Sequence, residues 1–414
     1  MIISSEVRPL TFTLSNGIRV IHKQCQGNVS CCGFAVNVGT RQELDFECGI
    51  AHFTEHLLFK GTTKRHAHHI LNRMENVGGE LNAYTTKEET YVYSFFLKED
   101  YERAVELLSD LLFHSTFPDE EIEKERDVIL DEINSYEDTP SELIFDDYED
   151  LLFAGHSLGR RIMGKPSCLK KFKNQSFVDF YTRNYFTDRI VFFSQSPMEL
   201  KKAKHLVDKY IGCIPARIQQ DVSVNNVPKP QYGVRKMVSK DTHQAHVIYG
   251  NKNYSLFDDK RVGMYLLSNI LGGPGMNSRL NVALRERTGL VYSVESNVTS
   301  YTDSGIFAIY FGTDLKQTDR CMKLVEKELK KMRETKLTAI QLHAAKKQLY
   351  GQMMISSENK ESQSLSMGKS MLHFNRYDSM EEVVRKVESF TSESLLEIAN
   401  EVLDTQTMSL LIYK

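Results

Sequence analysis

The strongest constraint on the fold is an order of elements that occurs twice. In the first half, the strand "VSCCGFAVNVG" is followed by two helical stretches, "GIAHFTEHLLFKG" and "HHILNRMENVGG". Two strands, "ELNAYT" and "ETYVYSFFL", and the amphipathic helix "YERAVELLSDLLFHS" come next. In the second half, the strand "QAHVIYGN" precedes two helices on either side of "GGPG". The strands "LVYSVESNV" and "GIFAIYFGT" and the helix "DRCMKLVEKELKKMRE" complete the same order. The helices are read from apolar residues at helical spacing, the strands from short apolar or alternating runs. Between the halves, residues 217–235 ("RIQQDVSVNNVPKPQYGVR") hold Asn-Asn, two prolines and polar residues, the composition of a linker. The pattern predicts an α+β chain of two similar domains, each a mainly antiparallel sheet covered by helices. The expected boundaries are residues 1–217, a linker at 218–235, and residues 236–414. The duplication rests on element order, because the two halves share little sequence. A length of 414 residues, more than one core usually serves, agrees with it.

Composition narrows the function classes. A net charge of −3 gives no basis for nucleic-acid binding, and no Lys/Arg-rich block marks a membrane surface. No apolar run is long enough to span a bilayer. The opening "MIISSEVRPLTF" lacks the pattern of a secretory signal or a transit peptide, so the chain as given reads as cytoplasmic. Seven scattered cysteines without CxxC spacing read as reduced thiols rather than disulfides or a thiolate zinc site. "LTFTLSNGIRVIHKQ" alternates around Ser-Asn-Gly, a hairpin signal.

The helix "GIAHFTEHLLFKG" is mostly apolar, yet it carries His52, Glu55 and His56. Residues four apart share a helix face, so both imidazoles can reach one ion, with Glu55 beside them. The His-x-x-Glu-His order is a metallopeptidase signature, although three fixed positions alone also describe polar residues at the rim of a core. A catalytic zinc takes three protein ligands, so a third must come from elsewhere. "DEEIEKERDVILDEINSYE" offers Glu125 and Glu132, two turns apart on one helix face. Apolar Val128, Ile129 and Ile133 surround Glu132, and a carboxylate on a buried face needs a partner, for which a metal cation serves. Glu125 can then orient a ligand histidine. The plain alternative is two solvated glutamates on a charge-rich helix.

Taken together, "GIAHFTEHLLFKGT", "GGELNAYTTKEETYVYS" and "ERDVILDEI" resemble the pitrilysin family of zinc peptidases, which includes insulin-degrading enzyme and the mitochondrial processing peptidase. The resemblance covers nearly the whole chain and is closest to the short bacterial members, which form one half of a clamshell. It implies His52, His56 and Glu132 as zinc ligands, Glu55 as general base and Glu125 as the group supporting a ligand. "LNAYT" resembles the edge strand that pairs with extended substrate, which places Asn82 and Ala83 along the peptide backbone. "LRERTGLVY" resembles the family's Arg/Tyr pair, here Arg285 and Tyr292, which holds substrate and polarises the scissile carbonyl. The function implied is a zinc-dependent endopeptidase acting on peptides or unfolded segments in a closed chamber. A chamber needs four such domains, so a homodimer is expected, with each active site completed by the partner subunit. A non-catalytic peptide-binding or assembly subunit is the other reading of the same fold.

Three further clusters carry less. "GGPG" lacks the Gly-Lys-Ser/Thr of a phosphate loop and reads as a turn. His66, His68 and His69 read as a solvated helix start, and the acidic run 146–150 as a solvated face without a calcium-loop pattern.

Overall fold

The computed structural model describes residues 8–219, 228–240 and 242–414. It contains two sheets. The first is built from β1 (Leu10–Thr13), β2 (Arg19–Gln24), β3 (Val29–Val36), β4 (Glu80–Thr85), β5 (Thr90–Leu97) and β6 (Ile190–Ser196), in the order β1-β2-β6-β3-β5-β4. The second holds β7 (Arg235–Val238), β8 (Ala245–Lys252), β9 (Val291–Ser300), β10 (Gly305–Thr313) and β11 (Ser409–Tyr413), in the order β7-β11-β8-β10-β9. In each sheet one pair is parallel, β2 with β6 and β7 with β11, and all others are antiparallel. Strand for strand, the second order repeats the first without β1. The α+β duplication read from element order is therefore present in the pairing itself. The hairpin expected around Ser-Asn-Gly is β1–β2, with Leu10 opposite His22 and Thr13 opposite Arg19.

Central strands are buried on both faces, which is why they read as continuous apolar runs. Along β3, Cys32, Phe34 and Val36 enter one core, while Cys31 and Ala35 enter another on the opposite face. The first core takes the helices Ile50–Leu57, Tyr101–His114, Asp119–Glu137 and Asn174–Asn184. The second is closed by Met367, Met371 and Leu372 of the helix Lys360–Phe374. That helix approaches closely at Gly368, where an added Cβ would lie 2.7 Å from the Phe193 ring.

The domain boundaries differ from a contiguous split. The described residues within Met1–Ile133, Arg160–Val224 and Ile355–Glu381 form one compact unit. Those within Asn134–Gly159, Asn225–Met354 and Glu382–Lys414 form the other. The helix Pro140–Leu152 thus covers the second sheet through Leu143, Ile144 and Tyr148, and Lys360–Phe374 covers the first. Each sheet has a second apolar face to bury, and the helix that buries it comes from the other half of the sequence.

Residues 220–227 of the linker expected at 218–235 lie outside the described residues. Its last part is tied into the second unit: Gln231 N–H donates to Leu152 C=O at 2.8 Å and Gly233 N–H to Thr407 C=O at 2.9 Å. The acidic run 146–150 is less solvated than expected, since Asp147 accepts from Tyr413 and Glu149 from Tyr301. Among the described residues, no helix is long and apolar enough to cross a membrane.

Candidate metal centre

The helix Ile50–Leu57 begins at Gly49, whose φ of 98° is left-handed and suits glycine. A Cβ there would also lie 2.7 Å from the Met163 carbonyl oxygen. The first-turn donors are met from outside the helix: the Glu43 carboxylate accepts from Gly49 N–H at 3.1 Å and Ala51 N–H at 3.0 Å. Ile50, Ala51, Phe53 and Leu57 bury one face in the core, with the Phe53 ring 4.9 Å from that of Phe177. The opposite face presents His52, Glu55 and His56.

The helix Asp119–Glu137 docks through Ile122, Ile129 and Ile133. Buried Arg126 fixes it further by donating to the carbonyls of Leu169 and Phe172. This brings Glu132 to the histidines. Ligand atoms of His52, His56 and Glu132 lie within 4.8 Å of one another, and His56 Nε2 is 3.7 Å from Glu132 Oε2. Only part of the buried face expected around Glu132 is buried. Val128 is exposed and the Glu132 side chain is 42 % exposed, so its role does not follow from burial.

Glu125 sits behind His56. Its Oε2 is 3.1 Å from His56 Nδ1, and its Oε1 pairs with Lys60 Nζ at 2.6 Å. With Nδ1 donating to Glu125, Nε2 of His56 keeps its lone pair toward Glu132. Burial, with His56 adding to it, lowers the His52 imidazole to about 3, so His52 stays neutral. His52 Nδ1 is buried without a hydrogen-bond partner.

Two imidazoles and a carboxylate form a zinc-type donor set. A tetrahedral ion with bonds of about 2 Å needs donors roughly 3.3 Å apart. The observed spacing, 3.7 Å for one pair and up to 4.8 Å across the set, is wider, so side-chain rotation would bring the three donors onto one ion. Glu55 lies beside them and is buried. Burial raises its pKa and nearby Glu132 raises it further, against the Thr85 hydroxyl and His56. The Thr85 hydroxyl donates to Glu55 Oε2 at 2.7 Å. Sequence reading left out this partner and Lys60, although both stand inside the motifs "NAYT" and "FKGT".

Thr85 ends β4, an edge strand of the first sheet that pairs with β5. Asn82 is opposite Tyr93, and Ala83 is opposite Val92. The far edge of β4 has no strand partner among the described residues.

Arg285 and Tyr292 belong to the second unit. Arg285 lies on a single π-helical turn, Asn281–Glu286, a geometry with no sequence signal here. Tyr292 lies on edge strand β9 and is 89 % exposed. His66, His68 and His69 are exposed at the start of the helix Ala67–Glu75.

Two family models match successive stretches of the chain. Residues 19–166 match the insulinase family, peptidase family M16, and residues 171–349 match the M16 inactive domain. The zinc protease YmxG of Bacillus subtilis, described as uncharacterized, is 31% identical over 396 residues, covering 94% of this chain and 95% of that protein. An uncharacterized zinc protease of Rickettsia felis is 30% identical and covers 96% of each chain. A protease from Helicobacter pylori superposes with a TM-score of 0.92 at 19% identity, over 99% of this chain and 100% of that one. A peptidase M16 inactive domain from Pseudomonas fluorescens gives 0.88 at 18% identity, over 98% and 97%. At such identities the two structures speak for the fold alone.

Proposed function

The chain belongs to the insulinase family of peptidases, family M16, and on that premise we propose that it is a zinc-dependent endopeptidase. The observation that carries this reading is the convergence of His52, His56 and Glu132 beside buried Glu55, at the end of edge strand β4. The two imidazoles and the Glu132 carboxylate would hold the ion, with Glu125 fixing the orientation of His56. Bound there, zinc supplies Lewis acidity that polarises a peptide carbonyl and acidifies a water.

The remaining work falls to the chain. Extended substrate adds to the free edge of β4 through main-chain hydrogen bonds, alongside Asn82 and Ala83. Such pairing tolerates varied side chains. Glu55 takes the proton from the attacking water and returns it to the leaving amine, base then acid. Its raised pKa suits a group that must both take and give a proton. Arg285 and Tyr292 stabilise the charge that develops on the carbonyl oxygen.

We further propose a homodimer that encloses peptide in a chamber, each subunit lending Arg285 and Tyr292 to the partner's zinc site. The exposure of Tyr292 on an unpaired edge supports this part of the reading. Two measurements test the whole. Purified protein should contain one zinc per chain and cleave a quenched peptide library until a chelator removes the metal. A metal-loaded protein that binds peptide but cleaves none of the library is instead the non-catalytic subunit. Mixing Glu55→Gln with Arg285→Ala protein should restore activity; mixed dimers that stay inactive exclude completion in trans.

A further inference from the structure

The turn Thr86–Glu89, which joins β4 to β5, is unusual in burying Lys87, Glu88 and Glu89. Hairpin turns are ordinarily solvated, and a buried charge needs a partner. Lys87 donates to the Arg160 carbonyl, and Glu88 pairs with Arg41 at 2.6 Å. The partners of Glu89 come from far along the chain. His373 Nε2 lies 2.6 Å from its Oε1 and Lys369 Nζ lies 3.1 Å from the same atom. The His373 and Glu89 side chains are only 2 % and 4 % exposed. Lys369 and His373 are one turn apart on the helix Lys360–Phe374, so both aim at one carboxylate.

The same turn is wired to the metal centre. Glu89 Oε2 accepts from the Thr86 hydroxyl at 3.1 Å, and Glu89 C=O accepts from Thr86 N–H at 2.7 Å. Thr85, the preceding residue, holds Glu55. On the other side, Thr40 and Arg41 N–H donate to the carbonyls of Thr86 and Lys87, and a Cβ on Gly39 would lie 2.4 Å from Thr86 O. With so little slack, the turn, Thr85 and the end of β4 have to move together.

We infer that Lys369 and His373 are positioning residues: they hold Glu89, and through the turn they fix Thr85 against Glu55 and set the end of the strand on which substrate would lie. The kinetic consequence rests on the peptidase reading; the mechanical one does not. A base displaced by a fraction of an ångström from its working position loses rate steeply.

The test compares His373→Ala, His373→Gln and Lys369→Met with Gln363→Ala in the zinc-loaded full chain. Gln363 sits on the same helix but bonds Gln195 on β6, away from the turn. Hydrogen exchange of the Thr86 amide should rise in His373→Ala and stay unchanged in Gln363→Ala. Turnover per bound zinc should fall roughly ten- to a hundred-fold in His373→Ala. His373→Gln, which can still donate to Glu89, should recover most of it. Lys369→Met, whose side chain is partly exposed, provides a milder variant should His373→Ala fail to fold, and should lower turnover about three-fold. Unchanged exchange at Thr86 in His373→Ala, or in Lys369→Met where the alanine variant does not fold, overturns the clamp. Equal losses of turnover in Gln363→Ala and His373→Ala overturn the positioning role in favour of a general packing effect. A wild-type protein that binds zinc and cleaves nothing sinks the peptidase reading instead, while the exchange measurement still decides the clamp.

Discussion

Apart from β1 the two sheets share one strand order, yet among the described residues the one group of side chains spaced to hold a metal ion lies beside the first. After β3 comes the helix Ile50–Leu57, which buries Phe53 and Leu57 and turns two histidines and a glutamate away from the core. After β8 comes Lys260–Gly272, whose polar residues Ser268 and Asn269 face inward instead. Ser268 is spent on Ser296 of the neighbouring edge strand, at 2.9 Å between hydroxyls. Among the described residues, His52, His56 and Glu132 are the one set of histidine, cysteine or carboxylate groups spaced to hold an ion. A shared topology thus fixes where a helix runs beside an edge strand. The chemistry depends on which face of that helix carries the polar groups.

The sharpest way to break the contrast is Glu55→Gln. It should keep zinc and lower turnover by about 10²–10⁴-fold, measured as kcat per bound metal. Wild-type turnover in this variant would mean that the first unit owes its activity to something other than Glu55.

Acid should next weaken the first unit through Glu89. Burial pushes this carboxyl up, but the His373 hydrogen bond and the Lys369 charge outweigh it and hold the pKa at about 2. A folded pKa below the unfolded value of about 4.3 stabilises the fold above that value and is lost as pH falls toward 2. Urea midpoints of wild type and Glu89→Gln should therefore differ at pH 6 and converge between about pH 5 and 2. A gap that stays constant over that range excludes the Glu89 pairing as its source.

Glu125→Gln should leave fold and base intact but weaken zinc affinity by about 10–100-fold, read by competition with a chromophoric chelator. The second unit supplies the control. Ser268→Ala should cost about 1 kcal/mol of stability in a thermal melt and leave zinc content and turnover at wild-type levels. A loss of zinc in that variant would end the functional separation of the two units.

The duplicated α+β order was legible because strand and helix periods are local properties of the chain. So was the helix-face logic of His52 and His56, since residues four apart meet whatever surrounds them. Glu132 and Glu125 were legible as two turns of one helix, but the argument that burial forces Glu132 toward a metal did not hold, because that side chain is partly exposed. The register of β4 as an edge strand was available only through family resemblance. Nothing local in "ELNAYT" says which of its edges is free.

By itself the sequence determined the elements, their order and the donors on each helix face. The tertiary structure decided which face of which sheet each helix covers, and so exchanged Pro140–Leu152 and Lys360–Phe374 between the two halves. It also chose Lys60 for Glu125, Thr85 for Glu55 and His373 for Glu89, the last across 284 positions. Such pairs form because packing buries two groups that then need each other, and burial depends on the whole fold rather than on any local pattern.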